Sequence, residues 1–101
     1  MTVTTSMIDD GRAIAIKVSG RFDFSVHPDF RNAYEHLPNT VTHYIVDLSD
    51  ASYLDSSALG MLLLLRDHAG GDSASIEIQQ CNPDVRKILT ISNFDQLFVI
   101  S

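Results

Sequence analysis

Hydrophobic and polar residues alternate along the first part of the chain, and this period of two predicts β-strands. The first strand is expected from Val3 to Ile8. In the second, apolar residues hold every other position, at Ile14, Ile16 and Val18. Asp10-Gly11 lies between the two runs and is typical of tight turns that join antiparallel strands. The chain is therefore expected to open with a β-hairpin whose second strand ends at Gly20.

The spacing of apolar residues changes to a helical period after this hairpin. Apolar residues recur three and four positions apart, at Phe30, Ala33, Tyr34 and Leu37. Ser25 is the expected N-cap of this helix, Pro28 suits its first turn, and Pro38 is expected to end it. The segment is therefore predicted to form an amphipathic helix that packs on a sheet.

The middle of the chain changes from a strand pattern to a helix pattern within a few residues. Ile45 to Leu48 is an apolar run that fits a strand buried on both faces. Leu59 to Leu65 is a helical apolar run, and Gly70 and Gly71 are expected to end it. Between the two runs lies Asp55-Ser56-Ser57, three residues that all favour a helix N-cap, where one is enough. This surplus makes the motif the first candidate functional site.

The last part of the chain repeats the change from strand to helix. Ile76 and Ile78 alternate with polar residues in a predicted strand, and Asn82-Pro83-Asp84 has the composition of a helix start. The buried stripe of the following helix is predicted at Val85, Ile88 and Leu89. A short apolar strand from Leu97 to Ile100 is expected to follow it.

This order of elements predicts an α/β fold in a single domain of residues 1–101. A mixed β-sheet, antiparallel in the N-terminal hairpin and parallel afterwards, would pack with α-helices through right-handed crossovers. In such sheets, function collects in loops beyond the carboxyl ends of the parallel strands. The two loops that qualify are residues 20–27 and 49–57, so Asp23 and Ser57 are expected near one another.

The net charge of −6 narrows the classes of partner. An acidic chain repels phosphate backbones and anionic lipid surfaces, so direct binding of nucleic acid is not expected. The longest apolar run, Met61 to Leu65, is far shorter than the roughly 20 residues that cross a bilayer, so membrane insertion is not expected either. The lone cysteine, Cys81, cannot form an internal disulfide, and the first residues show no signal-peptide pattern. These features predict a cytoplasmic protein.

The sequence predicts no catalytic residue, no metal site and no cofactor. The four histidines show no ligand spacing; they are His27, His36, His43 and His68. A hydrolase that uses Ser57 as its nucleophile is an alternative. The chain has no Gly-x-Ser-x-Gly elbow, however, and spacing assigns no histidine as the base. Cys81 is expected to pack as a small apolar side chain.

The central helix carries more apolar residues than one face can bury. At about 100° per residue, Met61 to Leu65 surround the helix axis. We predict that Leu62 and Leu65 face the sheet and that Leu64 points outward. The outward surface would be covered by neighbouring helices, or it would be a patch for a partner or for self-association.

The motif Asp55-Ser56-Ser57-Ala58-Leu59-Gly60, which follows the strand Val46-Asp47-Leu48, resembles the signature of the STAS domain, the fold of anti-sigma factor antagonists. Gly20-Arg21-Phe22-Asp23 is similar to a turn of that family, and residues 85–100 are similar to its closing helix and last strand. Ala58 stands where many members carry glycine. Because alanine is the better helix former, this departure leaves the helix start intact. The resemblance covers nearly the whole chain.

The resemblance implies an anti-sigma factor antagonist in a partner-switching pathway. In such antagonists the second serine of the motif is phosphorylated, so the resemblance points to Ser57. The implied partners are an anti-sigma factor that is also the serine kinase, and a serine phosphatase. Nucleotide and magnesium would belong to the kinase. Together with the outward Leu64, the partner-binding surface would comprise Asp23, Asp55, Ser56 and Ser57.

Each residue of this surface also has a simpler explanation. Ser57 fits the first turn of a helix, Asp55 fits the helix cap, and Asp23 fits a turn. The whole chain also fits a STAS binding module of an ABC lipid transporter or another transporter complex, in which no serine is modified.

Overall fold

Six strands form one mixed β-sheet in the computed structural model, which describes residues 2–38, 40–71, 75–79 and 82–100. The strands are β1 (Thr2–Ile8), β2 (Ala13–Phe22), β3 (His43–Asp47), β4 (Ala51–Leu54), β5 (Ile76–Gln79) and β6 (Val99–Ile100). The helices are α1 (His27–Glu35), α2 (Ser56–His68) and α3 (Pro83–Ile91). Apart from β4, these elements follow the order predicted from the sequence.

The sheet has the predicted mixture of directions, because β1 is antiparallel to β2 and the other strand pairs are parallel. Its strand order is β1-β2-β3-β5-β6, and β4 pairs with the last residues of β2. In the hairpin turn, successive residues have positive φ: Asp9 at 53°, Asp10 at 55° and Gly11 at 83°. Aspartate and glycine reach this conformation more readily than most residues, which explains the predicted turn.

The helices cover one face of the sheet and form the core with it. Ile14, Ile16 and Val18 of β2 are buried as predicted, and they belong to one apolar cluster with residues of all three helices. Burial alternates along β5 in the same way. The alternation of apolar and polar residues along these strands therefore indicates a sheet with one buried face.

The prediction that β3 is buried on both faces is wrong. Tyr44 and Val46 are buried, whereas Ile45 between them is only half-buried. The apolar side chain of Ile45 lies on the face of the sheet opposite the core, and an apolar run alone does not distinguish these two situations.

The second strand does not end at Gly20, as predicted, but continues to Phe22. Gly20 has a φ of 83° and lies at a shift in the register between β2 and β4. Since glycine adopts this conformation without the strain of a side chain, the strand changes register there and continues. The residues beyond Gly20 pair with β4, which lies inside the segment predicted to be a loop.

The start of α1 also differs from the prediction. Ser25 is not its N-cap: it lies in a short 3₁₀ turn (Phe24–Val26), and α1 begins at His27 with no side-chain cap. Pro28 lies in the first turn as predicted, and it has no N–H that needs a cap. The other two helices do begin with side-chain caps, from Asp55 for α2 and Asn82 for α3.

The predicted end of α2 is confirmed. Gly70 and Gly71 follow the helix with φ values of 117° and 62°, the conformation that stops helices and favours glycine. Within the part of the chain that the structure describes, no helix is long and apolar enough to cross a membrane. Cys81, predicted to pack as a small apolar side chain, lies outside the described residues.

Candidate partner-binding site

Strands β2 and β4 are parallel, and their carboxyl ends lie side by side. Phe22 and Leu54 are register partners at the last position of the two strands, and both side chains are buried. Asp23 follows Phe22 and Asp55 follows Leu54 in the chain, so the parallel pairing places both aspartates at the same end of the sheet. The structure thus brings together the two predicted loops, although β4 occupies residues 51–54 of the second one.

Asp55 caps α2, as its sequence suggests, and also accepts a hydrogen bond from a side chain of the motif. Its Oδ1 accepts the backbone N–H of Ala58 at 3.1 Å, which caps α2. The same oxygen accepts the hydroxyl of Ser57 at 2.5 Å. The Ser57 side chain is half-buried, and its hydroxyl is held against a carboxylate at the first turn of the helix.

Asp23 also accepts one backbone N–H and one serine hydroxyl, but both belong to Ser25, two residues later in the chain. Its Oδ1 accepts the backbone N–H of Ser25 at 3.0 Å and the Ser25 hydroxyl at 2.5 Å. The guanidinium of Arg21 lies 3.5 Å from the other carboxylate oxygen. The hydrogen bonds from Ser25, and to a smaller extent the nearby Arg21, hold the pKa of the Asp23 carboxyl below its ordinary value.

Two short motifs of the same form therefore end β2 and β4. Each is an aspartate, a variable residue and a serine: Asp23-Phe24-Ser25 and Asp55-Ser56-Ser57. The prediction of Ser25 as a helix N-cap is wrong, because Asp23 caps the 3₁₀ turn that contains Ser25. The repeated spacing, visible in the sequence, was the signal that could have identified Asp23 as the capping residue.

The surface around these motifs is partly apolar. Phe24 is 69% exposed and Tyr53 is 41% exposed, both unusual for large apolar side chains. The guanidinium of Arg21 lies 4.4 Å from the centre of the Tyr53 ring, a cation–π contact. Ser56 is exposed between its two neighbours. The site thus combines acidic groups with exposed aromatic rings.

The outer side of α2 extends this surface. Leu62 and Leu65 are fully buried and Leu64 is 51% exposed, as predicted from the helical spacing. Leu63, which was not among the predicted outward residues, is also 42% exposed. Leu64 also lines a groove of about 200 Å³ between α1 and α2, together with Arg31, Tyr34, Glu35 and His68. Neighbouring helices therefore do not cover this part of α2.

The chemistry of the described residues resembles that of a binding surface. Among residues 2–38, 40–71, 75–79 and 82–100, no three His, Cys, Asp or Glu side chains are grouped in a way that could hold a metal ion. What the site offers is a hydroxyl, two carboxylates and apolar side chains.

Comparison with known proteins identifies the family. The family model described as "Mlab, STAS domain" matches residues 7–100. A STAS-domain containing protein of Pseudomonas aeruginosa (strain UCBPP-PA14) is 59% identical over 101 residues, which cover 100% of both chains. The chain belongs to the STAS-domain family.

Solved STAS structures share the fold described above. The anti-sigma factor antagonist SpoIIAA in its unphosphorylated form superposes with a TM-score of 0.74 and 17% identity, over 99% of this chain and 87% of that chain. The phosphorylated form of SpoIIAA, a Bacillus protein, superposes with a TM-score of 0.69 and 17% identity, over 99% and 91%. The STAS domain of a SulP transporter from Vibrio cholerae gives a TM-score of 0.73 and 16% identity, over 93% and 76%. The predicted STAS fold is therefore confirmed, and its solved neighbours include both antagonists and transporter domains.

Proposed function

We propose that this STAS domain is an anti-sigma factor antagonist whose binding is switched by phosphorylation of Ser57. The unphosphorylated form binds an anti-sigma factor that is also a serine kinase, phosphorylation releases that partner, and a serine phosphatase restores binding. The observation that supports this proposal most is the Ser57 hydroxyl, held by Asp55 at the N-terminus of a 13-residue helix. These proposed events take place in the cytoplasm.

The local structure can accept a phosphate at Ser57 without losing the helix. The cap from Asp55 to the N–H of Ala58 does not depend on the serine hydroxyl. The N-terminus of α2 has unpaired amide groups and the positive end of the helix dipole, both of which favour a negative group. SpoIIAA, which shares this fold, has been solved in both the unphosphorylated and the phosphorylated form. We therefore expect the switch to change the surface and to leave the fold intact.

The change in charge at the surface is large. A phosphate adds about −1.5 to −2 charges and removes the hydroxyl proton that Ser57 donates to Asp55. The attraction between the Ser57 and Asp55 side chains becomes repulsion, and Asp23 adds a further carboxylate at the same end of the two strands. A partner shaped to the neutral serine would lose about 1–3 kcal/mol of binding free energy, which corresponds to about 5–150-fold in affinity.

The proposed contact surface contains Asp23, Asp55, Ser56, Ser57 and Leu64. Its carboxylates select basic groups on the partner, and the exposed Leu64 offers an apolar contact on the next turns of the same helix. The kinase partner supplies the nucleotide and magnesium.

A transporter module is the second candidate function. One observation favours it: the STAS domain of a SulP transporter is among the solved neighbours. In that case the same surface would bind a transporter subunit, and Ser57 would serve only as a residue of the first helical turn.

Affinity capture from an extract of the protein's own cells separates these functions. We expect the Ser57→Ala chain to retain a kinase-like anti-sigma factor and the Ser57→Asp chain to lose it. Asn32→Asp is the matched control, because it adds one negative charge on the exposed side of α1 with almost no change in shape. This control should bind as the unmodified chain does. Equal capture of one partner by all these variants would contradict the switch, and a transporter ATPase as that partner would support the second function.

A further inference from the structure

The outer edge of β1 is open to a further strand. β1 is the first strand in the order of the sheet, and among the residues that the structure describes it pairs only with β2. Its seven residues, Thr-Val-Thr-Thr-Ser-Met-Ile, include no charged residue and no proline. Natural edge strands are usually protected from further pairing by lysine, proline, bulges or short length. The opposite edge strand, β6, has only two residues, whereas β1 has none of these protections.

Half of β1 also lacks cover on the core side of the sheet. Met7 is the register partner of Ile14, which is buried, yet Met7 is 47% exposed. Thr5 pairs with the buried Ile16 and is likewise exposed. Val3, closer to the other end, is packed against the core. The helical layer therefore ends before it reaches the second half of β1, and an apolar side chain there remains in solvent.

We propose that this edge pairs with β1 of a second copy of the chain, antiparallel and about a two-fold axis at Thr5. In this register all seven residues of the strand are paired, because Thr2 lies opposite Ile8 of the partner and Val3 opposite the partner's Met7. Each exposed Met7 then meets a valine on the core side of the extended sheet. Apolar cross-strand pairs of this kind stabilise antiparallel sheets. A register moved by one residue would place Met7 opposite a threonine and would turn the cores of the two copies to opposite faces of the extended sheet, so the pattern favours the centred arrangement.

The charge distribution supports a second copy as the occupant. Two chains of net charge −6 repel one another over most of their surfaces, but the β1 edge carries no charge. Asp9 and Asp10 lie beyond one end of the strand. The two-fold axis places the two acidic pairs beyond opposite ends of the ladder, and therefore more than about 20 Å apart at roughly 3.4 Å per residue. This distance exceeds the Debye length of about 8 Å at physiological salt.

The proposed dimer edge does not include the residues of the phosphorylation switch. None of Asp23, Asp55, Ser57 or Leu64 belongs to β1. This inference therefore stands independently of the proposed function, and both surfaces can be occupied in one molecule.

A charge exchange at residue 5 tests both the edge and the register. Sedimentation equilibrium should show a concentration-dependent dimer for the unmodified chain. Thr5→Lys and Thr5→Glu should each raise the dimer dissociation constant about fivefold or more, because the axis places two like charges opposite each other. An equal mixture of the two variants should recover the dimer. Thr90→Lys is the matched control, since Thr90 is an exposed threonine on α3, outside the hairpin, and it should not change dimerisation.

Each contrary result overturns a stated part of the proposal. A monomer at all concentrations of the unmodified chain would exclude the dimer. Dimers that persist in both Thr5 variants would place the contact elsewhere, and variants that do not recover when mixed would contradict the Thr5-centred register. Circular dichroism of each variant checks that its monomer is folded. Binding of an added extended peptide by a chain that stays monomeric would show that another molecule, and not a second copy, occupies the edge.

Discussion

The ends of β2 and β4 have the same local arrangement but lead into different structures. In both, the aspartate that follows the strand accepts the hydroxyl of the serine two residues later, with Oδ1 to Oγ distances of 2.5 Å. Each aspartate also accepts one backbone N–H, from Ser25 for Asp23 and from Ala58 for Asp55. Ser57 then begins a continuous helix of 13 residues. Ser25 lies in a 3₁₀ turn of three residues, and α1 starts after it without a side-chain cap.

This difference is the reason that the proposed phosphate site is Ser57 and not Ser25. A long helix aligns many peptide dipoles and leaves N–H groups unpaired at its first turn. A turn of three residues aligns few peptide dipoles. If phosphorylation depends on the helix, it should occur at Ser57 and not at Ser25, although the two hydroxyls have the same hydrogen-bond partner type.

The largest effect that we predict is on the free energy of unfolding, when leucines of α2 on the buried and the exposed side are replaced. Leu62 is fully buried, so Leu62→Ala should lower the free energy of unfolding by about 2–5 kcal/mol. Leu64 is half exposed, so Leu64→Ala should cost less than about 1 kcal/mol. Urea unfolding of both variants measures this difference. If Leu64→Ala were as damaging as Leu62→Ala, Leu64 would belong to the core and not to a contact surface.

A smaller effect should distinguish the two aspartate caps. Asp55→Ala should destabilise the protein by about 1 kcal/mol, because α2 loses the cap at the Ala58 N–H. Asp23→Ala should destabilise it less, because Asp23 caps only a three-residue turn. Asp55→Asn and Asp23→Asn are the controls, since asparagine also caps helices. Thermal unfolding would contradict the comparison if Asp23→Ala were the more damaging change.

The smallest predicted effect is a dependence on pH at the end of β2. The pKa of Asp23 is lowered in the folded protein, chiefly by the hydrogen bonds from Ser25. The ionised carboxylate therefore stabilises the folded state above the unfolded pKa of about 3.9, and this contribution is lost as the pH falls through the lower folded pKa. The melting temperature of the unmodified chain should exceed that of Asp23→Asn at pH 6, and the difference should shrink near pH 3. An equal difference at both pH values would contradict the lowered pKa.

The sequence predicts the elements of this fold whose residues carry a clear period. The alternation of Ile14, Ile16 and Val18 identified the buried face of β2, and the spacing of Leu62 and Leu65 identified the buried side of α2. In both cases the burial of a side chain follows directly from the geometry of the element.

The remaining features depend on pairing between distant residues. β4 has only four residues, and its buried ends, Ala51 and Leu54, enclose two exposed residues, so no alternation marks it as a strand. Its existence follows from pairing with β2 beyond the register shift at Gly20. The exposure of Phe24 and Leu63 likewise depends on which neighbours cover them, and local pattern does not give this information.

The most direct test of the account is the position of phosphate on the protein isolated from its own cells with phosphatases inhibited. Tandem mass spectrometry of its peptides distinguishes Ser57 from Ser56 and from Ser25. We predict phosphate on Ser57, with none on Ser25, and complete loss of phosphorylation in a Ser57→Ala chain expressed in its place. Phosphate on Ser25 or Ser56, or persistent phosphorylation of the Ser57→Ala chain, would contradict the assignment of Ser57 as the switch.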